Sequence, residues 1–149
     1  MIELTAEHLA EIHAHGERDY PYECCGLLIG RFDNDGRKMV TETYPISNAR
    51  DEEAKRNRFL IRPDELMRGE SYAREKTLDV VGFYHSHPDD RPVPSKYDLD
   101  HAWPTYSYIV VAVAEGRATD LRSWEMESDR SQFKEEEIEK VNNVSVARP

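Results

Sequence analysis

Ten residues, Leu78-Asp79-Val80-Val81-Gly82-Phe83-Tyr84-His85-Ser86-His87, read as one strand that Pro88 must end. Successive side chains of a strand alternate between faces, so His85 and His87 project together while Ser86 points the other way. Beyond them Pro88, Pro92 and Pro94 stiffen the return of the chain, which lowers the entropy cost of bringing Asp98 back to the strand end. Two imidazole nitrogens and one carboxylate oxygen form a suitable set for zinc, with the fourth tetrahedral position left to water.

Other readings compete for the same residues. A His-x-His pair is by itself a weak signal, because histidines at strand ends are common on protein surfaces. Ser95-Lys96-Tyr97-Asp98 also fits a variant capping box, in which Ser95 starts a short helix and Asp98 reaches back to its first amide. Both uses draw on the oxygens of Asp98. His101, one turn along that helix, reads as a surface residue or a neighbour of the site. A hydrolytic metal site further needs a carboxylate that takes a proton without ligating the metal. Most of the 30 acidic residues sit in charge-rich surface contexts. Glu23 is different: it stands between Tyr22 and the apolar run Cys24 to Ile29, where a carboxylate is partly buried and needs a partner.

The rest of the chain reads as alternating helices and strands. Thr5 suits the cap of a first helix with Leu9 and Ile12 facing inward, ending near Gly16 or before Pro21. Cys24 to Gly30 is a strand, Asn34-Asp35-Gly36 a hairpin turn and Met39 to Ile46 the returning strand. Residues 47–58 are a charged loop. Pro63 opens a second helix to about Lys76 with Leu66, Met67, Tyr72 and Ala73 inward, and Gly69 weakens it by about 1 kcal/mol. Ser107 to Ala114 is a β-branched strand, turned at Glu115-Gly116-Arg117 into another through Leu121, Trp124 and Met126. The order α-β-β-α-β-α-β-β predicts one α+β domain over 1–127, with 128–149 open between an edge strand and a flexible tail.

A net charge of −10 argues against nucleic acid and against an anionic membrane surface. No apolar run approaches the roughly 20 residues of a membrane span, and the acidic, amphipathic start MIELTAEHLAEIH is unlike a signal peptide, so a cytoplasmic protein is expected. Adjacent Cys24 and Cys25 seldom reach disulfide geometry, which agrees with a reducing compartment.

Tyr20 to Gly30 (YPYECCGLLIG), then His85-Ser86-His87, seven residues, Ser95, two residues and Asp98, resembles the JAMM (MPN+) metalloprotease family, whose signature is a glutamate followed by H-[S/T]-H-x7-S-x2-D. The resemblance runs from the first helix to about Met126. It implies a three-layer, α/β/α-like fold around a curved mixed sheet, of the cytidine-deaminase-like kind. It also implies one zinc per chain on His85, His87 and Asp98, Glu23 as general base, and Ser95 as hydrogen-bond donor to the tetrahedral oxyanion. The implied reaction is hydrolysis of an amide or isopeptide bond at the C-terminal Gly-Gly end of a ubiquitin-like protein.

Only Leu99 to Tyr106 separate Asp98 from the next strand, so the chain is similar to the small stand-alone prokaryotic members, and a sulfur-carrier protein is the favoured substrate. Either a monomer or a homodimer fits. A Cys25–His85 nucleophile pair is disfavoured, because small cysteines on buried strands are usually inert and the signature needs no thiol. A cupin-like site fails for want of a glutamate soon after His87. The remaining alternative is a non-catalytic MPN-type module that binds or scaffolds a ubiquitin-like partner; such modules lack part of the set, which is complete here.

Overall fold

The computed structural model describes residues 1–48 and 61–142. The charged loop expected at 47–58 therefore falls, from residue 49 on, outside the described residues. The chain order is β1 (Ile2–Thr5), α1 (Ala6–Asp19), β2 (Cys25–Phe32), β3 (Lys38–Ile46), α2 (Pro63–Glu75), β4 (Asp79–Pro88), α3 (Lys96–His101), β5 (Ser107–Ala114), β6 (Arg117–Met126), β7 (Phe133–Glu136) and β8 (Ile138–Val141). The strands form one mixed sheet in the order β7-β6-β5-β4-β2-β3-β1-β8, an α+β fold.

Helices α1 and α2 cover opposite faces because neighbouring residues of β2 point opposite ways. Leu28 joins Ile12 of α1, Val111 and Val113 in one core, whereas Cys25 and Leu27 join Leu66 of α2 and Ile46 in another. Thr5 caps α1 as expected, but its reciprocal partner is a histidine: the Thr5 hydroxyl accepts from the His8 amide at 3.1 Å, and His8 Nδ1 accepts from the Thr5 amide at 3.1 Å. Gly69, costly to an isolated helix, is where α2 meets β2; a Cβ there would lie 2.2 Å from Leu27 Cδ1. Met67 corrects the expected inner face, being 67% exposed. Leu66, Gly69 and Ala73 set the buried stripe, and Met67 is one residue, about 100°, around the helix from it.

One strand, β1, was not legible, and the segment from residue 128 on, open between an edge strand and a tail, forms two short edge strands. Ile2–Thr5 lies parallel to β3, ahead of the first helix. Phe133–Glu136 pairs with β6 at one edge of the sheet, and Ile138–Val141 pairs with β1 at the other. Only Glu137 separates them, so the sheet must curl until one extended segment reaches both edges. A buried polar group holds this closure. Ser107 and Ser123 hydroxyls donate to Glu136 Oε1, and buried Lys38 donates to Glu136 Oε2 at 3.2 Å and to Glu125 at 2.7 Å.

Candidate metal centre and the family it belongs to

Strand β4 lies between β2 and β5, in the middle of the sheet, where neighbours on both sides fix its backbone. At its end His85 and His87 share a face and are buried. His85 Nε2 and His87 Nε2 are 3.1 Å apart, and Asp98 Oδ2 stands 3.1 Å from the first and 3.2 Å from the second. A tetrahedral zinc with bonds of about 2.0–2.1 Å holds its ligand atoms about 3.3 Å apart. The three donors therefore already outline one face of such a tetrahedron, and they fit the ion without rearrangement of the chain. His87 Nδ1 donates to the Arg91 carbonyl at 2.9 Å; a carbonyl can only accept, so the neutral ring carries its proton on Nδ1 and leaves the Nε2 lone pair for a metal, whereas the protonated ring of the metal-free site also donates from Nε2 to Asp98 Oδ2.

The competition for Asp98 resolves within the residue. Its amide donates to the Ser95 hydroxyl at 3.1 Å, and the Ser95 amide donates to Asp98 Oδ2 at 2.8 Å, a complete capping box at the start of α3. The oxygen that closes the box is also the one that meets both imidazoles. The cap thus aims the carboxylate. His101 stays apart from the site, exposed, with Nδ1 on the Tyr97 carbonyl at 2.8 Å and its ring stacked on Tyr97.

Glu23 occupies the loop between α1 and β2. Its carboxylate and the nitrogens of His85 and His87 all lie within 4.8 Å of one another, so these three residues too could hold a metal, and the histidine pair has two carboxylates within reach. The two carboxylates differ in electrostatics. Burial opposes the charge of Asp98, but the charge of His85 and hydrogen bonds from both histidines and from the Ser95 amide outweigh it and hold its carboxyl well below the usual range. Burial likewise opposes a charged His87, yet its bond to Asp98, the Arg91 carbonyl and the charge of Glu23 raise its pKa. Glu23 is pushed up to about 8, chiefly by burial; His87 opposes the shift, while Asp98 and Asp90 add to it.

Raised from 4.5, Glu23 makes the metal-free native state bind more protons than the unfolded chain between about pH 4.5 and 8. Its contribution to stability is complete below that window and is lost as pH rises through it. In chelated protein, Glu23→Gln should match the parent near pH 5 and exceed it at pH 8.5 by on the order of a few kcal/mol. Denaturant unfolding at the two pH values measures this, and a pH-independent difference would mean that the carboxyl is already hydrated.

The cysteines are not part of the site chemistry. Both are buried; burial pushes the Cys24 thiol up to about 12 and Cys25 higher still, which keeps both protonated at neutral pH.

The family model for prokaryotic homologs of the JAB domain matches residues 5–127. The chain belongs to this family. Within the JAB family it is similar to the desampylase of Haloferax volcanii, at 37% identity over 123 residues, 79% of this chain and 84% of that protein. It is also similar to the CysO-cysteine peptidase of Mycobacterium tuberculosis, at 27% identity over 81% of this chain and 80% of that one. Among solved structures, a protein from Desulfitobacterium hafniense shares the fold with a TM-score of 0.83 and 29% identity, covering 97% of this chain and 95% of that one. The mixed sheet with flanking helices is the JAB1/MPN fold.

Proposed function

We propose that this JAB-family protein is a zinc-dependent hydrolase that cuts an amide bond following the C-terminal Gly-Gly of a ubiquitin-like or sulfur-carrier protein. The observation that carries the reading is the convergence of His85, His87 and Asp98 at zinc-ligand spacing with a second, buried carboxylate, Glu23, within 4.8 Å of the histidines. One zinc ion bound by His85, His87 and Asp98 would supply Lewis acidity and a water acidified toward about pKa 7.

The chain's own groups perform the proton and charge handling. Glu23, whose affinity for protons is raised by burial, accepts the proton of the attacking water and returns it to the departing amine. Ser95 uses its hydroxyl oxygen to accept from the Asp98 amide, which leaves its own proton free to be donated to the oxygen of the tetrahedral intermediate. Ser95 is exposed at the helix start, so an incoming carbonyl can reach it. A cleft of about 400 Å3 lined by Arg18, Tyr20, Tyr22, Ser47, Asn48 and Glu23 adjoins the site and offers an approach for the substrate's chain end. The similarity to a desampylase and to a CysO-cysteine peptidase supports a carrier-protein conjugate as substrate. No described helix is long and apolar enough to cross a membrane, and a cytoplasmic site of action follows from the proposed substrate class.

The test is to incubate the protein with sulfur carriers bearing C-terminal extensions, with and without a chelator, and to read products by mass. Cleavage directly after Gly-Gly that stops on chelation and returns with zinc is the expected result. Absence of any chelator-sensitive product across carriers and ubiquitin-like fusions would leave a binding module.

A further inference from the structure

The proposed chemistry uses His85 and His87 and gives no task to the residue between them. Ser86 lies on the opposite face of β4 and is fully buried. Its amide donates to the Cys24 carbonyl at 3.2 Å, and the return bond runs from the Cys24 amide to the Ser86 hydroxyl oxygen at 2.8 Å. In an unbroken antiparallel rung the return bond goes to a main-chain carbonyl. Here the hydroxyl takes that role just past the last rung of the β2–β4 ladder, Cys25 opposite His85.

This is the point at which the chain leaves the sheet to form the Glu23 loop. Residues directly opposite share a face, so Cys25 stands with His85, and two residues before it, beyond the ladder, Glu23 brings its carboxylate within 4.8 Å of the His85 and His87 nitrogens. The direction in which the chain departs is therefore set at Cys24. Helix α1 closes over the same spot: a Cβ on Gly16 would lie 3.4 Å from Ser86 Cβ and 3.0 Å from Val113 Cγ2. Alanine would fill this space nearly as well as serine, but it would leave the buried Cys24 amide without its acceptor.

We propose that Ser86 is a positioning residue whose hydroxyl fixes the Cys24 amide and thereby places the adjacent Glu23 carboxylate over the His85–His87–Asp98 cluster. The inference rests on the reading of Glu23 as the proton carrier.

Ser86→Ala tests it, with Gly16→Ala as a control that crowds the same contact and keeps the hydroxyl. In metal-free protein, amide exchange at Cys24, measured by NMR relative to the amides of β2, should quicken at least about tenfold in Ser86→Ala and stay unchanged in Gly16→Ala. In zinc-loaded protein, kcat should fall about ten- to a hundredfold in Ser86→Ala with KM and zinc content unchanged, because the carboxylate is displaced and the substrate contacts are not. Gly16→Ala should keep kcat whatever the direction of its change in Tm. Unchanged Cys24 protection, a kcat within about twofold of the parent, or an equal kcat loss in the control overturns the proposal. A parent without chelator-sensitive cleavage would instead sink the functional reading, and the exchange measurement still decides whether the hydroxyl holds this loop.

Discussion

Glu23→Gln should lower kcat for a carrier fusion by about 10²–10⁴-fold and leave one zinc per chain in place. Gln keeps the volume and one oxygen of Glu but cannot accept a proton at neutral pH, so the substitution removes proton transfer and little else. The donors at zinc spacing are His85, His87 and Asp98, none of which the substitution touches. Metal content by atomic emission and turnover by mass spectrometry should therefore separate. The parallel change His87→Ala should lose both together, since it removes a corner of the donor triangle. Activity close to the parent in Glu23→Gln would take this residue out of the mechanism and leave its burial unexplained. Loss of zinc along with activity would make Glu23 a ligand, as its distance to the histidines would permit.

The second large effect concerns the closure of the sheet. Glu136 is buried and receives Lys38, Ser107 and Ser123 from β3, β5 and β6. Glu136→Ala strands a buried ammonium with Glu125, whose side chain is 40% exposed, as its remaining carboxylate in this group, and leaves two hydroxyls without their acceptor. Removing one partner of a buried pair costs about 3–5 kcal/mol, whereas exchanging the pair for apolar residues of like volume is often neutral or better. Glu136→Ala should thus unfold at much lower urea, while Lys38→Met combined with Glu136→Leu should recover the part due to the stranded ammonium, the two serine hydroxyls still lacking their acceptor. A single-mutant loss under about 1 kcal/mol would show that water reaches Lys38 readily.

The same glutamate shows where sequence reading fails. Lys134, Glu135, Glu136 and Glu137 look like a solvated run, and nothing within several residues says that one of the four is interior. Its partners come from three strands distant in the chain, so only the fold reveals them. β1 was missed for a related reason: three residues and the helix cap itself carry little strand signal, and its partner β8 lies at the far end of the described chain. Ser107–Ala114 was readable because a run flanked by β4 and β6 is apolar almost throughout. The histidine–aspartate cluster was readable because its residues are local: one strand, one stiff return and one helix cap bring His85, His87 and Asp98 together, whereas Glu23 comes from a loop far away in the chain. What sequence could not supply was the sharing of one Asp98 oxygen between cap and histidines, or the hydroxyl at Ser86 that substitutes for a backbone rung. Both depend on atomic distances, which spacing does not contain.

The segment that joins the two sheet edges also sets an order of events. Ile2 pairs with Ile138, so the first strand has no outer neighbour until nearly all of the chain has been synthesised. Contacts of such sequence separation form late and slowly, after local hairpins such as β2–β3 and β5–β6. Until then β1 and β6 each present an open edge to other chains in the crowded cell, and nascent protein is most exposed to mispairing during this interval. A proteolytic nick between Met126 and Phe133 should leave that segment held by its strand pairs alone and ease its loss from both edges, without touching any residue of the candidate metal centre.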